Sequence, residues 1–111
     1  MIVALGDISA KIPRLDEVRR VMRDTQQRVR EQRGCVSYAF AEALDDPGHF
    51  FVMQEWQDLA ALDGHYRSQA FADYQDAIAP LLVRDTDLRV SETAQSVRPV
   101  ADGGEDLRPS D

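Results

Sequence analysis

A tryptophan and a histidine nine positions apart, Trp56 and His65, are the side chains of this sequence best suited to bind and deprotonate a flat molecule. An indole offers a broad aromatic surface for stacking. An imidazole, with an ordinary pKa of about 6.5, can accept a proton at neutral pH. Each residue alone is more often structural than catalytic, so the significance of the pair depends on the elements that bring the two side chains together.

Four further aromatic side chains are expected near this pair, and they would enclose a planar phenol or quinone and supply hydroxyl groups that orient it: Tyr38, Tyr66, Phe71 and Tyr74. Gln54 and Asp7 are polar residues within otherwise apolar strands and are also candidate substrate-binding residues. Two placements of Asp7 remain open, a strand end in water or the pocket itself, because an unpaired buried carboxylate costs several kcal/mol.

The other potentially reactive side chains give no recognisable site. Cys35 is interpreted as a small buried hydrophobe, since no neighbouring base in the sequence would activate its thiol. His49 is expected to be exposed in a hairpin turn. Two distant histidines without a cysteine cluster predict no metal site, and the sequence contains no phosphate-binding glycine loop or dinucleotide fingerprint. We therefore expect no cofactor.

The hydrophobic pattern predicts the order βαββαβ, which is that of a ferredoxin-like α+β fold with an antiparallel sheet. The predicted strands cover residues 2–8, 36–43, 50–56 and 86–93, and the first helix covers residues 15–33 and stops at Gly34. Asp58 and Ser68 are predicted to cap two further helices, and Pro80 should bend or end the second of these. We expect one domain over residues 1–94 and a disordered acidic tail over residues 95–111.

The third predicted strand is apolar on both of its faces. Phe50, Val52 and Trp56 point to one side of the sheet, while Phe51 and Met53 point to the other. Helices can cover only one side, so the second side would expose a large hydrophobic surface. The sequence therefore predicts a homodimer in which two sheets pack face to face.

Charge and composition exclude several classes of protein. The net charge of −7, from 13 Lys and Arg against 20 Asp and Glu, argues against a nucleic-acid partner. No apolar run is long enough to cross a membrane, and no signal peptide is recognisable. With one cysteine no intramolecular disulfide can form, which fits a cytoplasmic protein.

The residues from Gly34 to His65 resemble the antibiotic biosynthesis monooxygenase domain family. Members of that family carry Gly-Cys-x-Ser-Tyr at the start of the second strand, as at 34–38 here, and Glu-Trp at the end of the third, as at 55–56. A helical His follows nine residues beyond the Trp, at the position of His65. The resemblance implies a dimeric α+β barrel that oxidises phenolic or hydroquinone-type aromatics with O2, without metal or flavin. His65 would act as the base, and Trp56 and the tyrosines would hold the ring.

Two alternatives remain open at the level of the sequence. Some members of the family bind and degrade haem, in which case His65 would be the axial ligand. Those relatives place an Asn on the first strand, and Asp7 at the matching position is a poorer donor to bound oxygen. The other alternative is a dimeric module that binds a small aromatic molecule without turnover.

Overall fold

The computed structural model describes residues 1–94 and the backbone of two short strands beyond them, 96–98 and 108–110. Within residues 1–94 the elements are β1 (Ile2–Ser9), α1 (Leu15–Val29), β2 (Cys35–Glu42), β3 (His49–Trp56), α2 (Leu59–Tyr66), α3 (Gln69–Ile78) and β4 (Asp87–Glu92). Two short 3-10 turns, Ile12–Arg14 and Ala79–Leu81, precede α1 and follow α3. The predicted order βαββαβ is confirmed, with the second helical segment divided into two helices.

The four strands form one antiparallel sheet in the order β2-β3-β1-β4. The central pair, β1 and β3, is in register from Ile2 opposite Trp56 to Ser9 opposite His49. This order confirms the ferredoxin-like α+β fold. The long antiparallel register fixes which residues of each strand share a face, because side chains alternate strictly along a strand.

The first helix lies against the sheet through apolar residues spaced three, four and seven apart. Val18, Met22 and Val29 are buried on that face, as predicted. The helix ends at Val29, however, and not at Gly34. Gly34 has a φ of +80° just before β2, and a Cβ atom there would clash with the Cβ of Ala61. The glycine therefore permits α2 to approach the start of β2, rather than ending α1.

Side-chain caps divide the second helical segment and set the position of its aromatic residues. Asp58 Oδ1 accepts a hydrogen bond from the Ala61 amide at 2.8 Å, and Ser68 Oγ accepts one from the Phe71 amide at 3.2 Å. Both predicted caps are confirmed. The break at Ser68 places His65 in the last turn of α2 and Phe71 in the first turn of α3. Pro80 lies in the 3-10 turn immediately after α3, which ends at Ile78, as expected.

Two of the four arginines of α1 are paired with carboxylates of other elements. Arg19 lies 2.9 Å from Glu42, and Arg28 lies 2.9 Å from Asp73 on α3. Such pairs neutralise the positive charge that a phosphate backbone would need. Among residues 1–94, no helix combines the length and the apolar character needed to cross a membrane.

The sheet has one covered and one uncovered face, and the predicted orientation of β3 is confirmed. The helices bury Phe50, Val52 and Trp56, whereas Met53 is 44% exposed on the opposite face beside Leu5, which is 46% exposed. The remaining outward-facing positions of β2 and β3 include Ala39, Ala41 and Phe51. This uncovered apolar face is the one from which we predict a dimer.

Beyond residue 94, Ser96–Arg98 pairs in antiparallel fashion with Arg108–Ser110. The other residues of the predicted acidic tail lie outside the part of the chain that the structure describes. The division into a domain of residues 1–94 and a disordered tail of residues 95–111 therefore stays a prediction.

Replacing Leu5 and Met53 together by Glu should convert a dimer into a folded monomer. Two carboxylates would be buried without partners between the sheets, and unpaired buried charges strongly oppose association. Sedimentation velocity at micromolar concentration measures the change. Leu59→Glu is the matched control, since Leu59 is exposed on α2 away from the sheet face and should leave the dimer intact. A wild-type protein that sediments as a monomer would contradict the predicted interface.

Candidate functional site

A cavity of about 500 Å³ lies between the covered face of the sheet and α3. All four strands and both α2 and α3 contribute to its walls, which combine aliphatic side chains with a group of aromatic ones. The aromatic side chains are Tyr38, Phe40, Tyr66, Phe71 and Tyr74, and Gln54 lies among them. Residues 82–86, which lead from α3 into β4, complete the wall. The size and the aromatic lining suit a flat small molecule of several fused or substituted rings.

Five of the six residues predicted to bind substrate line this cavity, and Asp7 does not. Tyr38, Gln54, Tyr66, Phe71 and Tyr74 contribute to the wall. Their convergence follows from the sheet register, which sets Tyr38 of β2 opposite Gln54 of β3, and from the position of α2 and α3 over that face.

Asp7 lies on the uncovered face of the sheet, next in sequence to the buried Ile8. Its Oδ1 is 2.8 Å from His49 Nε2, and Asp46 lies 3.3 Å from the other ring nitrogen. The prediction that Asp7 binds substrate is therefore corrected by strand alternation, which directs its side chain away from the cavity. His49 is also not simply exposed in a turn, because it begins β3 and bridges the two carboxylates.

Trp56 and His65 are in contact, but they lie behind the wall of the cavity rather than in it. Trp56 is completely buried and His65 is 1% exposed. Their rings stack with centroids 5.0 Å apart and an angle of 26° between the planes. The predicted proximity of the two side chains is confirmed, while the predicted placement of both in the wall of this cavity is wrong.

Three aromatic rings separate His65 from the cavity. The centroids of Tyr38, Tyr66 and Phe71 lie 5.5, 5.3 and 5.2 Å from the imidazole centroid, and all three side chains line the cavity. We call Tyr38, Tyr66 and Phe71 the aromatic partition. On its other side His65 borders a second depression together with Gln32, Gly34 and Ser68.

A short chain of hydrogen bonds fixes the tautomer of His65. The Ser68 hydroxyl donates to the His65 carbonyl oxygen, so Ser68 Oγ must accept from the Gln32 amide nitrogen at 2.9 Å. Gln32 Oε1 consequently faces His65 Nδ1 at 2.8 Å, and Nδ1 carries the proton. His65 Nε2 is therefore unprotonated and carries a free lone pair, and it has no hydrogen-bond partner among the described residues.

Burial also determines the charge of the site. It lowers the pKa of His65 to about 4, so the imidazole is neutral at pH 7. It raises the pKa values of the Tyr38, Tyr66 and Tyr74 hydroxyls, which therefore stay protonated. Tyr66 Oη is buried and, like His65 Nε2, lacks a partner in residues 1–94. The part of the site around His65 thus contains a neutral base and neutral hydroxyl groups, while Arg84 and Asp85 line another part of the cavity wall.

Sequence reasoning missed the positioning roles of Gln32 and Ser68. Ser68 was recognisable as a helix cap, but a cap motif does not reveal that the same oxygen accepts from a glutamine. Gln32 lies 33 residues from His65 in the loop after α1. It carries no local signal, because only the packing of that loop against α2 brings the amide to the imidazole.

Residues 1–77 match the family model described as antibiotic biosynthesis monooxygenase. The chain belongs to the antibiotic biosynthesis monooxygenase family. The match includes β1 to α3 and every residue of the aromatic partition, and it confirms the resemblance drawn from the sequence.

Solved structures of this family share the fold. A Deinococcus radiodurans protein, named as a candidate antibiotic biosynthesis monooxygenase, superposes with a TM-score of 0.85 at 24% identity, covering 91% of this chain and 100% of that one. A second structure, of an antibiotic biosynthesis monooxygenase, has a TM-score of 0.79 at 26% identity and covers 85% of this chain and 99% of that one.

An uncharacterized protein of Synechocystis is 25% identical over 95 residues. The match covers 86% of this chain and 65% of that protein, so the chain spans less than two thirds of this curated relative.

Replacing His65 by Phe should make the free energy of unfolding depend less on pH below about 6.5. In the wild type, unfolded His65 binds a proton below a pH of about 6.5, whereas folded His65 binds one only near its pKa of about 4. The unfolded state therefore holds more protons in this window, and stability falls as the pH falls through it. Urea denaturation at pH 7.5, 6 and 5 measures the slope.

In His65→Phe the aromatic contact with Trp56 is kept and this slope should be smaller. His49→Gln is the control, because His49 is partly exposed and carboxylate-paired. A constant difference between wild type and His65→Phe at all three pH values would show that His65 is not buried in its neutral form.

Proposed function

We propose that the aromatic cavity binds a phenolic or hydroquinone-type small molecule and that the protein oxidises it with O2 as a cofactor-independent monooxygenase. The observation that carries this proposal is the pair of buried polar atoms without protein partners, His65 Nε2 and Tyr66 Oη. Leaving such atoms unpaired costs about 1–3 kcal/mol each. A ligand hydroxyl group that pairs with Tyr66 Oη would offset that cost if the Tyr66 hydroxyl in turn donates to His65 Nε2. Family membership and the aromatic walls support the same conclusion.

Proton transfer in this site would pass through Tyr66. A phenol in the cavity donates its proton to Tyr66 Oη as the Tyr66 hydroxyl donates its own to His65 Nε2. One phenol O–H bond and one tyrosine O–H bond break, and one new O–H bond and one N–H bond form. The result is a phenolate in the cavity and an imidazolium behind the partition. Tyr66 lines the cavity, and its ring packs against the imidazole with 5.3 Å between the ring centroids. Tyr66 Oη and His65 Nε2 are not hydrogen-bonded to each other in the structure, so the relay requires that ligand binding bring these two unpaired atoms together.

The low pKa of His65 does not prevent this step. Burial without a neighbouring anion lowers the pKa, and formation of the phenolate places a negative charge nearby. An opposite charge at close range favours the protonated imidazole and raises its pKa again. The base is therefore neutral before the ligand binds and becomes stronger as the phenol ionises.

The phenolate then supplies the electrons. It transfers one electron to O2, and the resulting substrate radical and superoxide combine to form a peroxide. For a substrate with a reacting CH2 group, as in an anthrone, loss of water from the peroxide gives a carbonyl. One oxygen atom enters the product, the other leaves in water, and the substrate provides all four electrons.

The packing around His65 disfavours haem binding and degradation. An axial ligand must bond directly to iron, but Trp56 covers one face of the imidazole and the aromatic partition lies between the imidazole and the cavity. A proton can cross this layer through the Tyr66 hydroxyl, whereas a macrocycle cannot. Asp7 lies on the other face of the sheet and could not contact a ligand of His65.

Replacing either His65 or Tyr66 by Phe should lower the rate of O2 consumption with hydroquinones or anthrones by about 100-fold, a typical contribution of a general base. The double variant should be no slower than either single variant, because both residues act in one relay. An oxygen electrode measures the rates, and His49→Gln serves as the control that alters a histidine outside the cavity.

Distinct outcomes would contradict distinct parts of the proposal. Unchanged rates in both single variants would remove the relay from the mechanism. Binding of aromatics by wild type without O2 uptake would favour a non-catalytic small-molecule-binding module. A shifted Soret band on adding haem to wild type, absent in His65→Phe, would favour haem binding.

A further inference from the structure

We propose that Trp56 orients the side-chain amide of Gln54 so that only hydrogen-bond donors face the cavity, and that the site therefore selects ligands with an acceptor oxygen at this position. The ligand class is an aromatic ketone or quinone carbonyl, or the phenolate oxygen of an ionised phenol. This inference rests on the small-molecule binding proposed above and adds a residue that determines specificity.

The orientation of the amide follows from the chemistry of the indole. Trp56 Nε1 is 2.9 Å from Gln54 Oε1, and both side chains are buried. An indole nitrogen can only donate a hydrogen bond, so the amide atom facing it must be the carbonyl oxygen. The reversed amide would set an N–H group against an N–H group and leave two buried donors unsatisfied, at a cost that the site could not offset.

Trp56 is itself held in place. Its ring is fully buried and stacks on His65, and its strand pairs with β1 and β2 on either side. Gln54 and Trp56 are two residues apart on β3, so both point to the covered face of the sheet. The indole N–H is thus a fixed donor beside the amide oxygen, with little freedom to move away from it.

The other end of the amide is directed to the cavity. Gln54 contributes to the cavity wall. Within residues 1–94, the side chain of Gln54 makes one hydrogen bond, in which its oxygen accepts from Trp56. The two N–H groups remain the donors that a bound molecule can use. They complement an acceptor oxygen and offer nothing to a ligand that can only donate.

This polarity suits the chemistry proposed for the site. Hydrogen bonds from an amide to a phenolate favour the charged form of the phenol and lower its pKa. Gln54 would then stabilise the oxygen that carries the negative charge, while the proton passes towards His65. A carbonyl product would accept from the same N–H groups.

The test uses three planar tricyclic probes of similar shape. The carbonyl of 9-fluorenone accepts a hydrogen bond, the N–H of carbazole donates one, and fluorene has neither a carbonyl nor an N–H. Equilibrium dialysis of each against wild type, Trp56→Phe, Gln54→Met and Ile78→Val gives dissociation constants. Wild type should bind fluorenone about five- to tenfold more tightly than fluorene, as one hydrogen bond provides.

Both Gln54→Met and Trp56→Phe should lose this preference. Gln54→Met removes the amide, and Trp56→Phe frees the amide to turn. In Trp56→Phe, carbazole should gain affinity relative to fluorene, because the amide oxygen can now face the cavity. Ile78→Val is the control, since it alters a cavity-lining side chain without changing any donor and should shift all three constants alike. Thermal melting of each variant verifies that it is folded.

Equal affinity of wild type for all three probes would overturn the inference and leave the proposed function standing. A fluorenone preference that is lost in Gln54→Met but kept in Trp56→Phe would overturn the positioning role of Trp56. Failure of wild type to bind any of the three would contradict small-molecule binding in this cavity, and with it both proposals.

Discussion

The organisation of this molecule depends on one constraint: polar atoms buried among aromatic rings need hydrogen-bond partners. Two short chains of hydrogen bonds meet that need. One runs from Ser68 through Gln32 to His65, and the other from Trp56 to Gln54. The donors and acceptors of each chain can be arranged in only one way. The Trp56 indole can only donate, and the Ser68 hydroxyl already donates to the His65 carbonyl oxygen. Each chain also leaves an unpaired end, a lone pair on His65 and amide protons on Gln54, in the neighbourhood of the cavity.

The strands and helix breaks that position these chains also have structural roles of their own. Strand β3 is long enough to set Gln54 and Trp56 on the same face and to pair on both sides with neighbours, so neither side chain can turn away. Ser68 caps α3, donates to the end of α2 and accepts from Gln32 through one hydroxyl group. A substitution of Ser68 would therefore disturb helix geometry and imidazole tautomer together. The polar residues of the site are inseparable from the fold that holds them.

The sequence predicts well which face of a strand or helix a side chain lies on, but it predicts poorly how far that side chain lies from the cavity. Alternation along β3 correctly separates Trp56 from Met53, and capping residues correctly predict the break between α2 and α3, because both signals are local. The placement of His65 behind Tyr66 and Phe71 depends on how α2 and α3 pack on the sheet, and no local spacing encodes it. Asp7 illustrates the same limit. Its partner, His49, lies across a strand pair and 42 residues along the chain. Gln32 carries no motif at all, and its role exists only in three dimensions.

The location of the cavity also separates the candidate site from the predicted dimer face. Every residue in its wall lies on the covered side of the sheet or on the elements that cover it, so a single chain supplies the described walls. The apolar residues predicted to form the dimer, such as Leu5 and Met53, lie on the other side of the same strands. A second copy would therefore act on the site through the rigidity of β1 and β3 rather than by adding side chains to it. Because Gln54 and Met53 are adjacent on β3, any bending of that strand would move the donor that faces the ligand. If the predicted dimer forms and the proposed ligand binds, association and ligand selectivity would thus be coupled through one strand, even though their contact surfaces are separate.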